Sequence, residues 1–283
     1  MKKIFIIILL FLFVVPIISL ICGFYLPKNI QGQERIFLIE RGESVFQISQ
    51  NLESQGFIES RYFFNLYIFV FQKQNKLQAG TYFLNPSMNI DEIVSRFASG
   101  DIAIQTITIP EGFTQKQIED RLGLKLPGEN IEGYLFPDTY HFPIGISAED
   151  VVKIMRNNFD NKLTVDLREE IRRQKKTIAD IVTIASLLEK EVKTLEDKEM
   201  VSGILWKRLS IGMPLQVDSA METYKYRELP DSPICNPGLE SIKAAIYPQS
   251  NPYLYYLSAS DDGKTIFSKT LEEHNINRAK YLK

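Results

Sequence analysis

From Ile4 to Cys22 the chain carries no charge and is interrupted only by Pro16 and Ser19, directly after Lys2 and Lys3. A helix of that length reaches about 30 Å, the thickness of a bilayer's hydrocarbon core. The run is too long for a typical cleaved leader and no Ala-x-Ala site follows it, so residues 1–25 read as a cytoplasmic tip and an uncleaved transmembrane anchor. Two lysines on a short N-terminal side hold that end in the cytoplasm and place everything after about Tyr25 outside the membrane. Residues 26–35 are polar, contain Pro27 and Gly32, and read as a linker.

The pattern then becomes periodic. Ile36–Ile39 reads as a strand and Arg41-Gly42-Glu43 as a turn. Ser44, with Gln47 three residues on, makes a capping box for a helix over about 45–55. An aromatic-rich helix over about 60–71, a strand at 80–84 and a short helix over about 89–98 complete a small α+β module, residues 36–104. A strand, turn and N-cap recur at Gln105–Ile109, Pro110-Glu111-Gly112 and Thr114, a weak internal repeat of the Ile39–Ser44 passage. Helices follow over about 148–159, 165–175, 178–193 and 197–210, then turns and a strand at 253–258. The expected class is α+β, with a larger second domain over residues 105–283.

Composition narrows the chemistry. A net charge of -2 over 283 residues gives no reason to expect nucleic acid as a partner. The two cysteines, Cys22 and Cys235, are far apart, so no disulfide framework is expected. Two histidines, His141 and His274, leave neither a His-based metal site nor a Ser-His-Asp arrangement as a reasonable reading.

One acid breaks the pattern of its helix. Stepping 100° per residue from Glu189, Ile178, Val182, Ala185 and Val192 fall within about 60° of it, so Glu189 extends an apolar stripe. A carboxylate there costs free energy unless it is hydrogen-bonded or protonated, and burial favours the protonated form that a general acid needs. Glu191 lies about 200° further round and cannot share a small site with it. Elsewhere Glu132-Gly133-Tyr134-Leu135-Phe136-Pro137-Asp138-Thr139-Tyr140 sets a carboxylate near each end of an aromatic run. That chemistry suits a sugar, and equally a turn whose rings plug the core. Leu215-Gln216-Val217-Asp218-Ser219 alternates so that Gln216 and Asp218 share a face.

Taken together, these passages resemble the endolytic murein transglycosylase (YceG-like, or MltG) family over nearly the whole chain. The matching stretches include Leu77–Tyr82 in a LysM-like module, Ile109-Pro110-Glu111-Gly112, Glu132–Tyr140 and Ala185–Glu191. Arg208–Asp218, Ile234-Cys235-Asn236-Pro237-Gly238, Tyr247-Pro248 and Glu273-His274-Asn275 follow in order. The resemblance implies cleavage of the bond between N-acetylmuramic acid and N-acetylglucosamine within peptidoglycan glycan strands, with no cofactor. The family's catalytic glutamate matches Glu189. It would donate a proton to the glycosidic oxygen and then take one from the muramic acid C6 hydroxyl, closing a 1,6-anhydro ring. Glu132, Tyr134, Asp138, Tyr140, Gln216, Asp218 and Asn236 are the expected cleft lining. The family role implies association with cell-wall synthases in the same membrane. One departure stands out: between Asp218 and Pro233 the family's longer tyrosine-containing loop is reduced to Thr223–Ser232. A muramidase-type hydrolase and a non-catalytic peptidoglycan-binding scaffold are the competing readings.

Overall fold

Helix α1 (Lys2–Tyr25) opens the computed structural model, which describes residues 2–29, 32–259 and 263–282, without the side chains of residues 2–10. The apolar run expected to span a membrane therefore falls partly outside the described side chains. Among the described residues no helix is long and apolar enough to cross a membrane. The last turn of α1 packs inward: Phe24 is buried, with its ring edge-on to Tyr67 at 5.2 Å.

The chain divides into two compact units. The first holds residues 1–105 together with His141–Gly145. Its two-stranded antiparallel sheet pairs β1 (Arg35–Ile39) with β2 (Gly80–Leu84), Phe37 lying opposite Tyr82. Alternation puts Phe37 and Ile39 inward and leaves Ile36 and Leu38 outward, as a half-buried strand requires. Helices α2 (Val45–Ser54), α3 (Arg61–Val70) and α4 (Ile90–Ser99) cover the inner face through Ile48, Leu52, Phe64, Ile93 and Phe97. The capping box of Ser44 and Gln47 forms at the start of α2. The segment after Tyr140 was expected to lie in the second domain but belongs here. Phe142 is fully buried, Ile144 N–H donates to Ala103 O at 2.9 Å, and Thr81 Oγ1 donates to Ile144 O at 2.9 Å.

The second unit holds residues 106–140 and 146–283. The chain enters it through β3 (Ile104–Thr108), continues through α5 (Gln115–Leu122), and leaves through β4 (Thr139–Pro143), the partner of β3. It returns as α6 (Ala148–Lys162), α7 (Val165–Arg173), α8 (Ile178–Glu191) and α9 (Leu195–Ser210). A single 3₁₀ turn (Met221–Tyr224), α10 (Leu239–Ile246), the hairpin β5 (Tyr255–Ser258) and β6 (Thr265–Ser268), and α11 (Leu271–Tyr281) complete it. Helix α8 is the centre: every residue from Ile181 to Leu188 is buried, on all sides and not along one stripe. The helix ends at Glu191 because Val192 turns to extended backbone, φ -138°.

Candidate active site

Glu189 stands in the last turn of α8, where a fully buried helix emerges from the core. Its side chain is only 10% exposed, so its oxygens need partners, and three neighbours supply them. Oε2 accepts from Gly238 N at 3.0 Å and from Ser241 Oγ at 2.6 Å, both at the start of α10. Oε1 lies 3.6 Å from the ammonium of Lys198, a residue of α9 that is itself 4% exposed. Gly238 is the N-cap of α10 and carries no side chain to cap the helix, so a free N–H and the positive end of the helix dipole face the carboxylate.

A second carboxyl joins it. Glu111 sits in the turn between β3 and α5, and its carboxylate occupies the space a Cβ on Gly238 would fill. A Cβ there would force the Glu111 carboxylate to move. Partial burial pushes the Glu111 carboxyl above the ordinary range, and the negative charge of Glu189 adds to that push while Lys198 opposes it. The next residue, Gly112, has φ +77°, and a Cβ on it would meet Glu189 Cγ at 3.4 Å and Lys190 Nζ at 3.6 Å. Sequence reasoning included Glu111 only as part of a matched passage. The contact that makes it a site residue is tertiary.

Asn236 and Glu132 hold this turn in place. Asn236, fully buried, accepts from Leu135 N at 2.8 Å and donates through Nδ2 to Phe113 O at 3.0 Å and Glu132 Oε1 at 2.7 Å. Gly112 N–H donates to Asn236 O, and Glu132 also accepts from Gln115 N at 2.9 Å. Three loops are thus tied by one amide and one acid. Burial raises the Glu132 carboxyl above its usual range despite the donors around it. From the α8 side, buried Ser186 accepts Ile234 N–H at 3.1 Å, fixing the approach to Gly238.

The remaining expected residues divide into two groups. Tyr134, Asp138 and Tyr140 face α6. Tyr134 packs edge-on to Phe159 at 5.2 Å, and Asp138 accepts from Asn158 and pairs with Lys162 at 3.3 Å. Tyr140, 6% exposed, donates to Phe136 O at 2.6 Å, and burial lifts its hydroxyl to about 12. These contacts serve the fold. Gln216 and Asp218 instead border a polar cavity of ≈ 550 Å³ beside Lys190 and Glu191. Glu191 accepts from Ser219 N and Oγ, and Tyr224 donates to Asp218. Gln216 holds φ +53°, a conformation non-glycine residues adopt at a cost. Tyr255 stacks on His274 at 5.3 Å in the same cavity. Tyr256 Oη and His274 Nδ1, also in its lining, are buried with no hydrogen-bond partner among the described residues. Sequence reasoning missed the tyrosine–histidine wall as a site feature, although His274 lay in a matched passage. Among the described residues no group of three or more His, Cys, Asp or Glu side chains could hold a metal ion.

Comparison with known proteins gives this geometry a family. The model of the YceG-like family matches residues 37–280. An endolytic murein transglycosylase of Bacillus subtilis (strain 168) is 30% identical over 308 residues, covering 86% of this chain and 84% of the relative. One from Streptococcus pneumoniae R6 is 24% identical over 320 residues, and there the match spans 58% of the longer relative. A crystal structure of a YceG-like protein from Listeria monocytogenes superposes with a TM-score of 0.57 at 30% identity, covering 87% of this chain and 100% of that one. With a family model matched over most of its length and a relative at this identity, the chain belongs to the YceG-like family.

Proposed function

We propose that this chain is a peptidoglycan lytic transglycosylase whose catalytic carboxyl is Glu189, as its curated relatives' names support. The observation that carries the reading is the nearly sealed Glu189 carboxylate at the end of the buried helix, gripped by Gly238 N–H, Ser241 and Lys198. The reaction needs one proton delivered to the glycosidic oxygen as the bond from the muramic acid C1 breaks. It then needs one proton removed from the C6 hydroxyl as that oxygen closes on C1. A single carboxyl performs both steps in turn and is regenerated, so no water enters the product. The polar cavity beside Lys190 offers sugar hydroxyls and acetamido groups a tyrosine–histidine wall.

The finer reading is an endolytic enzyme that cuts between N-acetylmuramic acid and N-acetylglucosamine within nascent strands and so limits their length. The uncharged run Ile4–Cys22 supports a single-pass anchor in the cytoplasmic membrane with the catalytic unit outside. Cell-wall synthases of the same membrane are its expected company. The test uses the full chain in detergent micelles with purified sacculi, the products being read by mass spectrometry. New 1,6-anhydro ends, one water lighter than reducing ends, are expected, and Glu189→Gln should abolish them while leaving the melting temperature near wild type. Reducing ends would make the protein a hydrolase, and full activity in E189Q would remove Glu189 from the chemistry.

A further inference from the structure

The surroundings of Glu189 pose a problem for the reaction just described. Backbone N–H, serine O–H and a buried ammonium all stabilise a negative carboxylate, whereas the first step needs a proton in the cleft. The charged groups around Glu189 and its support at Gly238 come from four elements. Lys198 approaches from α9, Glu240 from the first turn of α10, Lys190 from α8 itself, and Glu111 from the β3–α5 turn. Glu132, in the neighbouring loop, faces Lys190. Of these, only Glu111 has its carboxylate seated against Gly238, the residue whose N–H holds Glu189.

We propose that Glu111 is a positioning residue for the reaction: its carboxyl, lodged against Gly238, whose N–H holds Glu189, sets a like charge against Glu189 that opposes loss of the last proton from the cleft. Neighbouring like charges oppose each other's formation, so a carboxylate at Glu111 makes a second negative charge in the cleft costly. The upward push that Glu189 exerts on Glu111 agrees with such a pair. Lys198 then balances the one charge that remains. The glycine at 238 has a second purpose here, since a Cβ at that position would force the Glu111 carboxylate to shift. The inference rests on the reading of Glu189 as the catalytic carboxyl and adds the group that keeps it supplied.

The experiment is the pH dependence of anhydro-end formation by the full chain in micelles, for wild type, Glu111→Gln and Glu111→Asp, with E189Q as control. Removing the like charge favours proton loss, so in E111Q the high-pH fall in rate should move to lower pH by on the order of one unit. At neutral pH the rate should drop by roughly tenfold and recover as the medium is acidified. E111D, which keeps the charge, should restore the position of the fall, and because it retains the carboxylate it serves as the check should E111Q melt early. An E111Q profile superimposable on wild type overturns the proposal. So does a folded E111Q that is inactive at every pH, which would make Glu111 a direct participant. If wild type forms no anhydro ends, or E189Q forms them normally, the reading of the reaction itself falls and this inference with it.

Discussion

Asn236 and Glu132 show how single side chains set the position of the Glu189 site. One amide uses both its carbonyl and its NH₂ group to join the turn after β3, the Glu132–Phe136 loop and the strand of chain leading to Gly238. Glu132 completes the knot at a cost, because burial makes its ionised form unfavourable and raises its carboxyl above the ordinary range. An acid whose proton is held more tightly in the folded state stabilises the fold at low pH. That contribution is lost as pH rises through the carboxylate range. Glu132→Gln keeps an acceptor for Gln115 N–H and Asn236 but does not titrate. The melting temperature of E132Q relative to wild type should therefore climb between pH 4 and pH 7, as thermal unfolding at several pH values will read. A gap that stays constant would mean Glu132 is protonated throughout, or ionises without penalty.

Helix α8 shows which elements were legible in the sequence and which were not. Its span, and the anomaly of Glu189 within it, followed from periodicity because a long apolar helix with a polar intrusion is a strong local signal. The cap was equally local: Thr177 accepts from Asp180 N–H, and Asp180 returns a bond to Thr177 N–H at 2.8 Å. Thr177→Ala should cost about 1 kcal/mol in denaturant unfolding. Thr177 lies roughly 18 Å along the helix from Glu189, so cleavage should be unchanged. Loss of activity in T177A would show that the whole helix, and not its last turn alone, sets the site. Other elements gave weaker local signals. Helix α10 spans eight residues behind a glycine without a side-chain cap, and α11 has no buried residue, so neither presented a capped apolar stripe. β4 and β6 are short strands recognisable mainly through their partners. The same reason hid Glu111, Ser241 and Lys198: Ser241 and Lys198 reach Glu189, and Glu111 reaches Gly238, from different elements, and only the fold makes them neighbours.

At the scale of the whole molecule, the linear division of residues 36–104 and 105–283 meets an interruption that hydrophobic patterning could not foresee. The five residues from His141 to Gly145 lie with the first unit although the chain on both sides of them lies with the second. Phe142 is fully buried there, and Ile144 is hydrogen-bonded at both its N–H and its C=O, to Ala103 and Thr81. A fragment that begins at residue 106 retains Phe142 and Ile144 but discards the rest of the first unit, to which they belong, and with it Ala103 and Thr81, the partners of Ile144. Exposing one buried phenylalanine costs about 2–3 kcal/mol, and two unpaired backbone groups just past β4 invite association with other chains. Residues 106–283 alone should therefore aggregate or melt well below the full chain in the same detergent. Replacing Phe142 by Ser in that fragment should recover much of its solubility. Scattering and thermal unfolding measured side by side decide the matter. A fragment 106–283 that is monomeric and melts with the full chain would show that His141–Gly145 needs no partner from the first unit, and that the site around Glu189 folds independently of it.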